Sequence, residues 1–202
     1  MSVFAKLLRG RVDDFCQLSD AQIALLEEHW DLLCRWNRVV NLTSVTDLES
    51  AVMKHYGESL FLAANLPQGG HTLADLGSGG GFPGIPIAVV RADYWVTLIE
   101  CRKRKAAFLR EATRSLPNVQ VLESRGEDCT APFDWMVARA VSIEHALSCG
   151  LRFGSRLGML LSGRDADELG RRGLVEVEKR LPLPWNCMSC LVLGRPVPRA
   201  SR

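Results

Sequence analysis

No long hydrophobic run exists in this sequence. Its apolar stretches reach only about five to seven residues, far short of the roughly 20 that a membrane-spanning helix requires. The opening "MSVFAKLLRGRVDD" lacks the apolar core of a secretory signal, so the expectation is a cytoplasmic protein that does not enter a membrane. Histidine is scarce: His29, His55, His71 and His145 show no i, i+4 pair, which excludes the usual helical metal motif. The seven cysteines are odd in number and scattered, and read as reduced, mostly buried thiols rather than a disulfide framework. Only "CMSC" at 187–190 has metal or redox spacing. It has no second pair near it in sequence, so it reads as part of a strand or turn, and no metal is expected. Low-complexity tracts and internal repeats are likewise missing.

The formal net charge of +2 conceals a division. Residues 1–70 carry six Lys/Arg against nine Asp/Glu, a balance of −3, and residues 71–202 a balance of +5. "RKRK" at 102–105, with Arg110 and Arg114, concentrates the positive charge into a stretch that can form a solvated helix face or dock on phosphates.

The first 70 residues read as helical. Ser19 and Gln22 fit a capping box, followed by Ile23, Leu26, Trp30 and Leu33 at helical spacing. The pattern fades at the turn-like "NLTSVTD", and a second helix over about 48–64 stops before Pro67 and Gly69-Gly70. Residues 71–202 then alternate strands with helices. "TLADLG", "YWVTLIE", "VQVLES", "FDWMVARA", "RLGMLLSG" and "CLVLGRP" read as strands, and 102–116 as an amphipathic helix. Such alternation predicts an α/β fold with a mainly parallel sheet.

"LADLGSGGGFPG" at 73–84 is the most informative phrase, with five glycines in eight positions after a strand that ends at Leu76. Ligands of open parallel sheets bind outside the carboxyl ends of the strands, where strand order reverses, and this turn lies there. Pro86 suits the first position of a following helix, whose N-terminal amides would point back to the crevice and favour negative charge. Two ligands compete. "GGGFPG" at 79–84 matches the weak dinucleotide fingerprint of a nicotinamide-dependent oxidoreductase. "DLGSGGG" instead gives the acid-x-G-x-G turn of S-adenosylmethionine-dependent methyltransferases. Glu100, closing the second strand, serves the ribose hydroxyls of either. Asp75 separates them, because a carboxylate beside the turn opposes a pyrophosphate and stabilises the cationic amino group and sulfonium of S-adenosylmethionine. The candidate cofactor residues are Asp75, Gly77, Ser78, Gly79, Gly81, Phe82, Glu100, Gly126 and Glu127, with Arg139 at the mouth of the crevice. Gly126 and Glu127, in the loop after the third strand, are placed to meet an adenine.

The fourth strand ends in "VARAVSI", without an Asn/Asp-Pro-Pro-aromatic clamp for exocyclic amines or a cysteine nucleophile for pyrimidine carbon. The acceptor is then an atom that is already nucleophilic. Guanine N7 has a free lone pair and no proton to remove, so catalysis would reduce to alignment.

The chain resembles the bacterial glucose-inhibited division protein B family, guanine-N7 methyltransferases of 16S ribosomal RNA. The resemblance is carried by "WNRVVNLTSVTD" (36–47), "HYGES" (55–59), "DLGSGGGFPGIPIAVV" (75–90), "SRGED" (124–128) and "ARA" (138–140). It implies a Rossmann-like class I methyltransferase sheet behind an N-terminal helical region, and cofactor contacts at Gly77, Phe82, Gly126, Glu127 and Arg139. The partner implied is 16S ribosomal RNA or the small subunit, approached by a monomer. Candidate RNA contacts are Asn41, His55, Arg102, Lys103 and Arg164. The family commonly has Asp where Glu58 stands and Lys where Ser162 stands. A non-catalytic RNA-binding assembly factor on the same fold is the remaining alternative.

Overall fold

The computed structural model describes residues 1–153 and 155–197. Helix α1 (Val3–Val12), with no periodicity noticed in the sequence, begins at Ser2, whose hydroxyl accepts from the Ala5 amide. Helix α2 (Asp20–Asn37) starts in the expected capping box between Ser19 and Gln22. It ends where Asn37 Oδ1 accepts the amides of Leu42 and Thr43, folding "NLTSVTD" back on itself. The second predicted helix is three segments in one: α3 (Leu48–Ala51), a π-helical turn (Val52–Gly57) and α4 (Glu58–Asn65). One added residue per turn re-aims the side chains that follow, and such turns recur at functional sites.

The remainder is β1 (His71–Leu76), α5 (Gly84–Val90), β2 (Tyr94–Ile99), α6 (Lys103–Ala112), β3 (Val119–Leu122), β4 (Trp135–Arg139), α7 (Ile143–Phe153), β5 (Arg156–Ser162), α8 (Gly163–Arg171), β6 (Val175–Leu183) and β7 (Asn186–Pro196). The seven strands form one sheet in the order β3-β2-β1-β4-β5-β7-β6. β1 to β5 are mutually parallel, whereas β7 runs antiparallel to both neighbours. Strand order reverses between β1 and β4. β6, unassigned from the sequence, is an edge strand whose Glu176, Glu178, Lys179 and Arg180 face solvent, which hides its pattern and blocks edge pairing. "CMSC" lies within β7, as its strand reading expects. No helix is long and apolar enough to cross a membrane, and no cluster of three or more His, Cys, Asp or Glu side chains is placed to hold a metal among the described residues.

The N-terminal helices are welded to one face of the sheet. Leu8, Leu26, Leu33 and Leu60 share a buried cluster with Ile87, Val96 and Leu98. Arg91, buried on the sheet side, donates to the carbonyls of Ala63 and Leu66 at the end of α4 and covers the ring of Tyr94 at 4.3 Å. A second cluster, built on Met136, Met159 and Cys149, packs α7 and α8 on the opposite face.

Two helix boundaries depart from expectation. α5 begins at Gly84, not Pro86, so Pro86 occupies its third position, where its missing N–H leaves no intrahelical bond unmade. α6 stops at Ala112, because the Thr113 hydroxyl donates to the Leu109 carbonyl and closes the last turn.

Gly81 shows why the loop is bare. Its φ is +90°, and an added Cβ would lie 2.4 Å from Ile85 Cδ1 and 3.1 Å from His29 Nε2. Gly81→Ala is expected to cost about 2 kcal/mol or more, lowering Tm by roughly 4–8 °C. Gly170→Ala, in α8 with nothing within 4 Å of the new methyl, should instead stabilise slightly. Urea and thermal unfolding of both variants check the pair; a Gly81→Ala protein as stable as the parent would contradict the reading.

Candidate functional site

The glycine turn sits above the β1–β4 switch point and is fixed from three sides. Gly77 and Ser78 donate their amides to the Ile99 carbonyl at the end of β2, at 2.9 and 3.1 Å. The Gly79 amide donates to Glu100 Oε2 at 3.1 Å, and the Arg102 amide to Glu100 Oε1 at 2.8 Å. Above, His29 Nε2 meets the Gly80 carbonyl at 3.0 Å, and its Nδ1 meets the Tyr56 hydroxyl at 2.9 Å. Below lies Asp75.

Asp75 is fully buried. Its Oδ2 accepts the Gly84 amide at 3.0 Å, while Oδ1 has no hydrogen-bond partner. Burial raises its pKa to about 7, opposed by the Gly84 amide and Ser78 and reinforced by the charge of Glu100. The expectation of exposed amides at the start of α5 is therefore corrected: Asp75 already takes the Gly84 amide, and a pyrophosphate would find a carboxylate there. Asp75 is sealed beneath the turn rather than exposed beside it.

A cleft of about 310 Å³ opens beside the turn between the ends of β1, β2 and β3. Of the predicted cofactor residues, Gly77, Glu100, Gly126 and Glu127 line it. Ser78 faces inward, its hydroxyl donating to the Asp75 carbonyl, and Gly81 packs under His29. The Phe82 ring is buried among His29, His55 and Tyr56, with centroids 5.1, 4.6 and 5.1 Å away, leaving only its backbone near the turn. His145, which the sequence does not single out, also lines the cleft, with Nδ1 3.2 Å from Glu127 Oε1. A histidine on the solvent-to-core border of α7 carries no sequence signal without knowing which loop it faces.

Arg139, at the end of β4, turns toward the N-terminal helices. Its Nε donates to Glu58 Oε2 at 2.8 Å and its Nη2 to the Lys54 carbonyl at 3.0 Å. The π-helical turn that carries Lys54 and His55 delivers both this carbonyl and, next in line, Glu58. His55 is buried against Phe82, with Nε2 2.8 Å from Thr43 Oγ1. Burial, then the charge of Arg139, lowers its pKa to about 3; burial lowers that of His29 to about 4. Both are neutral structural rings rather than proton carriers at neutral pH. Arg102 and Lys103 are exposed side by side at the start of α6, whereas Asn41, in the loop after α2, and Arg164, in α8, are exposed on other elements. Ser162 caps α8 by accepting the Asp165 amide at 3.1 Å.

The cleft fits an adenosine-bearing ligand. Its volume falls at the lower end of the roughly 300–1,000 Å³ typical of ligand sites, and Asp75, beneath the turn, keeps one carboxyl oxygen without a partner, which a cation above the turn would suit. Fold and site together define a Rossmann-like methyltransferase. A solved S-adenosylmethionine-dependent methyltransferase from Aquifex aeolicus superposes with a TM-score of 0.57 over 73% of this chain and 93% of its own, at 16% identity, a likeness of fold. The family model described as GidB, rRNA small subunit methyltransferase G, matches residues 22–166, and the chain belongs to this family. It is 39% identical over 142 residues to the ribosomal RNA small subunit methyltransferase G of Chromobacterium violaceum, covering 68% of each chain. With that of Xanthomonas euvesicatoria pv. vesicatoria it shares 44% over 128 residues, spanning 61% of this chain and 59% of the relative.

The raised pKa of Asp75 sets a pH test. The folded state holds the proton more tightly than the unfolded chain, so stability falls as pH rises from about 4 to 7, by on the order of 4 kcal/mol, and is flat above. His29 and His55 act oppositely, losing stability as pH falls below about 6.5, but equally in parent and variant. Asp75→Asn, which mimics the protonated acid, should therefore gain stability over the parent between pH 5 and pH 8 in urea unfolding without cofactor. A difference that does not change with pH would contradict the assigned protonation.

Proposed function

We propose that this chain transfers a methyl group from S-adenosylmethionine to N7 of a guanine in 16S ribosomal RNA. The observation that carries the reading is the cleft over the ends of β1, β2 and β3, with an acid beneath the adjoining glycine turn and Glu100 and Glu127 along its walls, in a member of the GidB family. Glu100, immobilised by two backbone amides, keeps further lone pairs on each oxygen to accept ribose hydroxyls. Glu127, steadied by His145, and the backbone at Gly126 face an adenine. Gly77 allows close approach: its φ is +70°, and any Cβ would already meet Val141 at 3.2 Å.

When bound, S-adenosylmethionine supplies an electrophilic methyl on a sulfonium. The chain's own share is alignment, since N7 needs no base to free its lone pair. The buried negative charge of Asp75 and the acids of the cleft lower the energy of a cationic ligand relative to a phosphate-bearing one. Oxidoreductase chemistry is disfavoured on the same ground, the first amide of α5 being already taken. An assembly factor without catalysis would not need the acid-glycine-acid set to be kept. RNA docking falls to the α6 edge, where Arg102, Lys103 and Arg104 are exposed, and the site of action is cytoplasmic.

Calorimetry should show S-adenosylmethionine binding and no NAD binding. Labelled methyl groups should appear on small-subunit RNA as N7-methylguanosine by mass spectrometry. NAD binding with no methyl transfer would reverse the reading. The paired change Arg102→Ala, Lys103→Ala should reduce the slope of log affinity against log salt by about 1 to 2, one for each lost phosphate contact. A slope equal to the parent's removes that face from the RNA interface.

A further inference from the structure

A second cleft, of about 290 Å³, lies over the carboxyl ends of β4 and β5, one strand away from the cofactor crevice. Glu58, Arg139, Val141, Ser162, Asp165 and Leu183 are among the residues that wall it, mixing apolar faces with fixed charges. Each charge is held. The Glu58 side chain, 12% exposed, pairs with Arg139 through Nε, and Lys54 takes Nη2, leaving Nη1 without a partner among the described residues. Asp165, in the first turn of α8, accepts the Ser162 hydroxyl on Oδ2 at 2.8 Å, and its Oδ1 has no partner among the described residues.

We propose that this cleft receives the target guanine and that Asp165 reads its N1–H and N2 amino group. The assignment rests on the methyl-transfer reading above and adds the residue that makes it guanine-specific. Methylation at N7 turns the Hoogsteen edge toward the methyl donor, so recognition must use the opposite edge, which presents two adjacent donors. A carboxylate is the side chain that accepts two such donors. Around the base the polar atoms run N7, O6, N1, N2. Across the sheet the order is the glycine turn over the β1–β4 switch point, then Arg139 at the end of β4, then Asp165 after β5. Strands lie about 4.8 Å apart, so the span from the switch point to β5 is comparable to the long dimension of a purine. Arg139 Nη1 then falls opposite O6, an acceptor, and Asp165 opposite the donors. Val141 and Leu183 offer apolar faces to the ring. Adenine, with an acceptor at N1 and no N2 amine, would leave Asp165 facing a lone pair.

The test replaces the methylated guanosine, located by mass spectrometry of the product, with inosine by ligating synthetic RNA, which deletes only the N2 amine. The parent enzyme should lose roughly ten- to hundredfold in kcat/KM on the inosine RNA, the worth of part or all of a bidentate base contact. Asp165→Asn should lose a similar factor on guanosine RNA and lose no more on inosine RNA, with its calorimetric affinity for S-adenosylmethionine within twofold of the parent's. Asp165→Ser, which suits the first turn of a helix, repeats the comparison if the Asn variant is poorly folded. A parent that methylates inosine as fast as guanosine, or an Asp165 variant that keeps the full inosine penalty, overturns the assignment while leaving methyl transfer intact. A parent that methylates no guanine at all overturns the underlying reading, and the assignment with it.

Discussion

The hydrogen bond from the Gly84 amide to the buried Asp75 carboxylate is the constraint on which the site depends. It ties the start of α5 to the end of β1, and so sets the height and path of the glycine turn between them. No side chain could replace hydrogen at Gly84, because an added Cβ would lie 2.6 Å from the same carboxylate and 2.3 Å from Leu98. The price is an oxygen buried without a partner and a carboxyl that gives up its charge more readily than usual. A positive charge placed above the turn would relieve that cost, and a phosphate would increase it. Fold stability and the path of the glycine turn thus draw on one side chain.

The N-terminal helices complete the arrangement from above. His29 holds the Gly80 carbonyl, Tyr56 holds His29, and Phe82 is locked between them and His55. The helical region is therefore part of the site's foundation. The π-helical turn extends the same role sideways, since it places His55 on Phe82 and Glu58 on Arg139 within a few residues. What reads as two segments in sequence works as one clamp around a loop.

Much of this was legible in the residues. The capping box at Ser19, the strand ending at Leu76, the parallel core of the sheet and the glycine turn over its switch point all follow from spacing and turn chemistry. Resemblance through "DLGSGGGFPGIP" narrowed the family, which the match over residues 22–166 shows. Other features could not be read. Helix α1 depends on tertiary burial of Phe4 and Leu8, and β6 has a solvent-facing pattern that mimics a loop. Pro86 points to the wrong start for α5, because the helix begins where Asp75, nine residues earlier, supplies a partner for the Gly84 amide. Phe82 and Ser78 look like ligand residues by position, yet their side chains serve the core. His145, Glu58 and Asp165 become candidates only when separate elements converge.

The most direct test of the account is a crystal structure of this chain with S-adenosylmethionine. The adenine is expected between Gly126 and Glu127, the ribose hydroxyls on Glu100, and the sulfonium above a turn still anchored by Asp75 and Gly84. Density for the ligand elsewhere, or a turn that releases Asp75 from Gly84 to bind it, would contradict the claim that a buried carboxylate beneath a bare loop selects the methyl donor.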